Sequence, residues 1–134
     1  MGAEYQFHYD PPSVADPDKS ETDIQVSMLQ RLTHVAPRIY AFAVPNAGRR
    51  SRWESMQRKK EGMKSGVSDL VLTWPRVSAF VEVKSRNQPL EDDQITFLNR
   101  MVRMGHPAGV FRSADTLEAW LREQGAPFIG RVTA

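Results

Sequence analysis

The sequence predicts an α/β fold in which a mixed β-sheet is flanked by helices, in the order α-β-β-β-α-β-α. Apolar residues recur at helical spacing in three segments, and four short runs rich in aliphatic and aromatic residues are typical of strands. Two of those runs are separated by only two residues, which indicates a hairpin. A length of 134 residues with 40% hydrophobic residues suits one domain with a modest core.

The three helices are expected over about residues 20–32, 89–105 and 113–125. Ser20 and Ser113 are expected N-cap residues, because a serine hydroxyl can accept a hydrogen bond from the free N–H groups of the first turn. Glycines close the last two helices, since glycine readily takes the left-handed conformation found at helix ends.

The four strands are expected over residues 38–45, 69–74, 77–84 and 107–112. These elements place one domain over residues 20–125. Residues 1–19 contain three prolines and few aliphatic residues, which predicts a poorly ordered, flexible N-terminal arm, and residues 126–134 are expected to form a C-terminal tail.

Positive charge is concentrated between the first and second strands. The net charge is only +2, but residues 49–64 carry seven Lys or Arg against two acids, whereas the other residues carry eleven bases and fourteen acids. Such a local excess is typical of a phosphate-binding surface, although a solvated basic face gives the same pattern. The candidate DNA-binding residues are Arg49, Arg50, Arg52, Arg58, Lys59, Lys60 and Lys64.

The hairpin carries the strongest chemical signal. Centring its turn on Pro75 and Arg76 pairs Leu72 with Ala79 and places Asp69 opposite Glu82. Because side chains alternate along a strand, Lys84 shares a face with Glu82. The register therefore gathers two carboxylates and one ammonium group on one patch.

Two carboxylates this close repel each other, which raises the pKa of one of them or recruits a cation. Mg²⁺ prefers carboxylate oxygens, and a bound divalent ion can activate water and stabilise charge on a phosphoryl oxygen. The chain has no cysteine, so any metal ligands must be oxygen or imidazole groups. The alternative is structural: Asp69 caps a strand, and Glu82 with Lys84 forms an exposed ion pair. A one-residue shift of the turn would also separate the two acids.

The ordered set of these residues resembles the PD-(D/E)XK nuclease signature, and most closely the short standalone form of the virus-type replication-repair nuclease (VRR-NUC) family. The resemblance runs from about Ser20 to Leu121. The residues that carry it are Glu21 in the first helix, Pro45-Asn46-Ala47-Gly48, Gly66-Val67-Ser68-Asp69, Glu82-Val83-Lys84 and Gln94-Ile95-Thr96-Phe97. Ser68 stands where proline often precedes the aspartate.

The resemblance implies a restriction-endonuclease-like core and a role for each matching residue. Glu21, Asp69, Glu82 and the Val83 carbonyl would bind Mg²⁺ or Mn²⁺, Lys84 would be the catalytic lysine, and Gln94 would support the site. It also implies a homodimer that cuts branched, Holliday-junction-like DNA in repair, in the cytoplasm of a bacterium or of a phage-infected host. Neither a membrane partner nor a small-molecule cofactor is expected.

Three other functions fit the same residues. A non-catalytic nucleic-acid-binding module would keep the fold, although clustered acids facing phosphate would bring it no benefit. A restriction-type subunit would need a separate specificity partner. An RNA nuclease would use the same chemistry.

Overall fold

The computed structural model describes residues 4–45, 56–57 and 59–130. Its helices are α1 (Glu21–Val35), α2 (Asp92–Arg103) and α3 (Ala114–Glu123), and its strands are β1 (His8–Tyr9), β2 (Tyr40–Ala43), β3 (Leu70–Trp74), β4 (Val77–Val83) and β5 (Ala108–Phe111). The predicted α/β class is confirmed, and the seven predicted elements occur in the predicted order, but they are preceded by β1, which was not predicted. Among the described residues, no helix combines the length and apolar character that a bilayer crossing requires.

The strands form one mixed sheet in the order β1-β5-β4-β3-β2. The strand pairs β2–β3 and β3–β4 are antiparallel, while β5 runs parallel to both β4 and β1. Helices lie on both faces, as expected when a sheet contains parallel strands. On one face, α1 and α3 pack with residues such as Leu72 and Val81. On the other, α2 packs against β5 through Ile95 and Leu98.

The caps predicted from the sequence set the helix bounds. The Ser20 hydroxyl accepts a hydrogen bond from the Asp23 amide at 3.1 Å, and the Ser113 hydroxyl accepts one from the Thr116 amide at 3.1 Å. Gly105 and Gly125 follow α2 and α3 with φ values of 92° and 80°. The left-handed conformation ends both helices where glycine was expected to end them.

The N-terminal segment corrects the prediction of a flexible arm over residues 1–19, because residues 7–10 join the sheet and Ala15 is buried. His8 and Tyr9 form an edge strand parallel to β5. The buried Asp10 carboxylate accepts a hydrogen bond from the Arg112 amide at 2.9 Å. Two residues are too short a strand to be recognised from periodicity, and their partner lies a hundred positions away. The predicted C-terminal tail also contacts the domain, where the Ile129 amide donates to the Val35 carbonyl.

Candidate active site

The hairpin register brings the two central acids together. Leu70 pairs with Val81 and Leu72 with Ala79, as predicted from the sequence. Asp69 lies directly before β3, and its Oδ2 accepts a hydrogen bond from the Val83 amide at 2.9 Å. Its own carbonyl accepts one from the Val44 amide at 2.8 Å. Asp69 is therefore held between the ends of β2 and β4, next to Glu82.

Glu21 reaches the same place from the first turn of α1. Reciprocal hydrogen bonds between Ser20 and Asp23 form a capping box that fixes this turn. Carboxylate oxygens of Glu21, Asp69 and Glu82 all lie within 4.8 Å of one another. Three acids that are far apart in the sequence thus meet at one end of the sheet, where their repulsion favours a bound cation.

Lys84 brings a positive charge into this acidic cluster. Its side chain is only 8% exposed, and its Nζ lies 3.7 Å from Oε2 of Glu82. The Lys84 amide donates to the Phe111 carbonyl at 3.1 Å, which anchors the residue beyond the end of β4. A buried ammonium group is costly unless it faces negative charge, so its position depends on the acids beside it.

Gln94 joins α2 to the cluster. Its Nε2 donates to Oε2 of Glu82 at 3.0 Å, and its Oε1 accepts from the Glu91 amide at 2.9 Å. One side chain therefore caps the helix and orients the carboxylate.

Gly66 fixes the approach of the preceding loop to α2. Its φ is 79°, and a Cβ at this position would collide with the Asp93 carbonyl. Glycine is required on both counts, because other residues rarely adopt this φ and none would fit. Gly66 thereby helps to place Asp69 three residues later.

The electrostatics of the cluster centre on Glu82. Burial, followed by the negative charge of Asp69 and a hydrogen bond with it, raises the pKa of Glu82 from 4.5 to about 9, and Glu21 adds to the rise. Lys84 lowers the pKa only in part. With the carboxylates ionised, the buried Oε1 of Glu82 has no hydrogen-bond donor among the described residues. An uncompensated buried oxygen of this kind is costly, and either a proton or a metal ion would satisfy it.

An open cavity of about 290 Å³ borders the acidic cluster. It lies between α1 and the end of β2, with Asp69 and Glu21 at its edge. Its lining is completed by Thr22, Gln25, Val26, Leu29 and Val44. Sequence reasoning did not identify Gln25, although its position one helical turn after Glu21 was the available signal.

The predicted DNA-binding residues are only partly described by the structure. Lys59, Lys60 and Lys64 are exposed, and the first two are helical. Arg49, Arg50, Arg52 and Arg58 lie outside the described residues, as do Asn46, Ala47 and Gly48.

The fold and the site together define the class of protein. A five-stranded mixed sheet between helices, with acids gathered at a hairpin, is a PD-(D/E)XK-like nuclease core. The VRR-NUC domain model matches residues 19–115, and the chain therefore belongs to the VRR-NUC domain family, a family of nucleases that act on DNA. No curated protein and no solved structure matches the chain.

Proposed function

We propose that this chain is a Mg²⁺- or Mn²⁺-dependent endonuclease that hydrolyses phosphodiester bonds in branched DNA. The observation that carries the proposal is the meeting of Glu21, Asp69 and Glu82 within 4.8 Å, with the Lys84 ammonium 3.7 Å from Glu82. In a protein that only binds DNA, three acids facing phosphate would weaken the affinity for DNA. The arrangement therefore supports catalysis.

The residues present fit a divalent metal ion. Hard carboxylate oxygens are the ligands that Mg²⁺ and Mn²⁺ prefer, and Oε1 of Glu82 lacks any other partner among the described residues. Glu21, Asp69 and Glu82 would hold the ion, with the Val83 carbonyl as a further ligand. When bound, such an ion supplies Lewis-acid stabilisation of phosphoryl charge and lowers the pKa of a coordinated water.

Lys84 and Gln94 have separate tasks in this proposal. The Lys84 ammonium is held next to the acids, where it orients the attacking water and stabilises the negative charge that develops on the phosphoryl oxygens. Gln94 holds Oε2 of Glu82 through a 3.0 Å hydrogen bond, which leaves Oε1, without a partner among the described residues, available to a metal ion. Gln94 is thus a positioning residue.

The preference for branched DNA and the homodimer belong to the same proposal. The basic segment of residues 49–64 carries no base-reading motif, and phosphate contacts do not specify sequence. Recognition of DNA shape is therefore favoured over recognition of sequence. Two incisions in a four-way junction need two active sites, which a homodimer provides.

The test is a cleavage assay with the purified chain. Labelled four-way junction, flap and duplex DNA are incubated with Mg²⁺, Mn²⁺, Ca²⁺ or chelator, and Asp69→Asn and Lys84→Met are compared with wild type. We expect cleavage of branched DNA only with Mg²⁺ or Mn²⁺, and a loss of at least about 100-fold in both variants. Asp115→Asn is the matched control, because Asp115 is an exposed acid at the start of α3. This variant should cut DNA normally.

The outcomes separate the alternatives. Junction binding without cleavage in any metal would indicate a binding module. Activity that appears only after addition of a partner would indicate a restriction-type subunit, and cleavage confined to RNA would indicate an RNA nuclease. Normal cutting by Asp69→Asn in Mg²⁺ would disprove the catalytic assignment.

A further inference from the structure

Two aromatic rings stand exposed on the edge strand β2. Tyr40 is 72% exposed and Phe42 is 42% exposed, and their ring centroids are 5.9 Å apart. The two rings are inclined by 49°. Large exposed aromatic side chains on a sheet edge invite contact with another molecule, which makes this pair of rings a candidate binding surface.

The strand register puts these rings on the same sheet face as the acidic cluster. Phe42 lies beside Val71, and Val71 beside Phe80, so the three share one cross-strand row. Asp69 lies two residues before Val71 and Glu82 two residues after Phe80, so alternation places both acids on this face. One row spans roughly 7 Å. Phe42 is therefore one row, and Tyr40 two rows, from the acids.

The helix on this face leaves the β2 side uncovered. Ile95 and Leu98 of α2 are buried with Ala108 and Val110 of β5, and Phe97 meets Phe80 edge to face at a centroid distance of 5.7 Å. In the described part of the chain, α2 therefore covers the sheet as far as β4. Among residues 4–45, 56–57 and 59–130, the surface that continues to β2 is lined by the exposed rings of Phe42 and Tyr40.

Two arginines lie at the far end of this surface. Arg38 precedes β2, and Arg76 occupies the tip of the β3–β4 hairpin. Both are exposed, and neither makes a hydrogen bond or ion pair within residues 4–45, 56–57 and 59–130. Arg76 has a φ of 71°, a conformation that favours glycine or asparagine. A residue kept at a conformational cost is a candidate for function.

We propose that a single-stranded stretch of the DNA substrate leaves the active site along β2, with unpaired bases stacked on Phe42 and Tyr40 and phosphates neutralised by Arg38 and Arg76. This inference rests on the proposed function and names the feature that the enzyme recognises. Aromatic rings bind bases of any sequence because every base has a π-face. Continuity with the acids and the positive charge at the far end favour a nucleic-acid strand over a protein partner. The substrate class is therefore branched DNA that carries unpaired nucleotides next to the scissile bond.

The test measures binding without cleavage. A short single-stranded oligonucleotide carrying 2-aminopurine is titrated with wild type, Tyr40→Ala, Phe42→Ala and the double variant in chelator, with fluorescence quenching and anisotropy as readouts. We expect quenching with wild type and a loss of affinity of about 10-fold or more per ring removed. Tyr40→Phe should bind like wild type, because the ring is retained. Affinity for blunt duplex should change by less than about 2-fold, since paired bases cannot stack on the rings.

Tyr5→Ala is the matched control, because Tyr5 is an exposed aromatic residue near β1, at the sheet edge opposite β2. It should retain wild-type affinity. Circular dichroism and light scattering accompany each titration. Wild-type single-strand affinity in the folded double variant overturns the inference, as does conversion of a dimer to a monomer, which would make β2 a subunit interface. Because no metal is present, the result does not depend on cleavage, and the cleavage assay tests the proposed function separately.

Discussion

The raised pKa of Glu82 predicts an unusual pH dependence of stability in the metal-free protein. Between the unfolded value of 4.5 and the folded value of about 9, the folded protein holds a proton that the unfolded chain has lost. Stability therefore falls as the pH rises through this window, opposite to the behaviour of an ion-paired acid. Each pH unit costs roughly 1.4 kcal/mol.

From pH 4.5 to pH 7.5, the cost is about 4 kcal/mol. That is a large part of the 5–15 kcal/mol by which a typical domain is stable. Glu82→Gln removes the titrating group and retains an amide that can bond Gln94. The stability advantage of Glu82→Gln over wild type should be absent near pH 4.5 and should grow to a Tm difference of about 14 °C at pH 7.5.

The assay is thermal unfolding followed by circular dichroism at several pH values in chelator. Comparison with Glu82→Gln isolates this carboxyl from the others, and in Asp69→Asn the fall in stability should end at a lower pH, because the Asp69 charge is one cause of the raised Glu82 pKa. At pH 7.5, Mg²⁺ should raise the Tm of wild type and leave that of Glu82→Gln nearly unchanged. If the Tm curves of wild type and Glu82→Gln run parallel from pH 4.5 to 9, Glu82 does not have the environment described above.

Three further substitutions test individual contacts. Gln94→Ala removes the hydrogen bond to Glu82 and should lower the free energy of unfolding by about 1 kcal/mol, while turnover falls more than DNA affinity. Gly66→Ala should lower the Tm by several degrees, because the new Cβ meets the Asp93 carbonyl; an unchanged melting curve would show that the loop can move aside. Arg76→Gly relieves the positive φ and should stabilise the fold by up to about 1 kcal/mol while weakening DNA binding, so that melting and anisotropy data move in opposite directions.

Much of the central part of the fold could be predicted from the sequence because its signals are local. The two-residue turn and the alternation of apolar residues predicted the pairing of Leu72 with Ala79, which the structure confirms. The serine caps and closing glycines predicted the ends of the helices for the same reason. The turn type was the weak point, since Pro75-Arg76 is not a favoured hairpin sequence. In the structure, Arg76 adopts a positive φ after Pro75, as the third residue of a type II turn does, and this allows the two-residue turn to form.

The N-terminal part could not be predicted because its contacts are distant. Proline-rich composition indicated disorder, but Asp10 is tied to Arg112 and Thr116 at the start of α3. The Arg112 guanidinium, itself buried, donates to the carbonyls of Asp10 and Ser85. Nothing in residues 1–19 alone indicates these partners.

The site was predictable only as far as local geometry reaches. Hairpin alternation places Asp69, Glu82 and Lys84 together, whereas the approach of Glu21 and Gln94 depends on how α1 and α2 pack. Those two residues were identified through family resemblance, and the structure brings both to the cluster. The exposed rings of β2 were missed, because a strand's sequence does not show whether its edge is covered.

The parallel pairing of β1 with β5 has a consequence for how the protein is made. Residues 8 and 9 leave the ribosome about a hundred codons before residues 109 and 110, with which they pair. Until α2 and β5 have emerged, Phe7 lacks the residues against which it is buried in the folded domain and stays accessible to chaperones or proteases. Within this domain, a segment that is synthesised well before its partner strand is therefore among the last to pack, and the β1 edge of the sheet can form only after β5 has been synthesised.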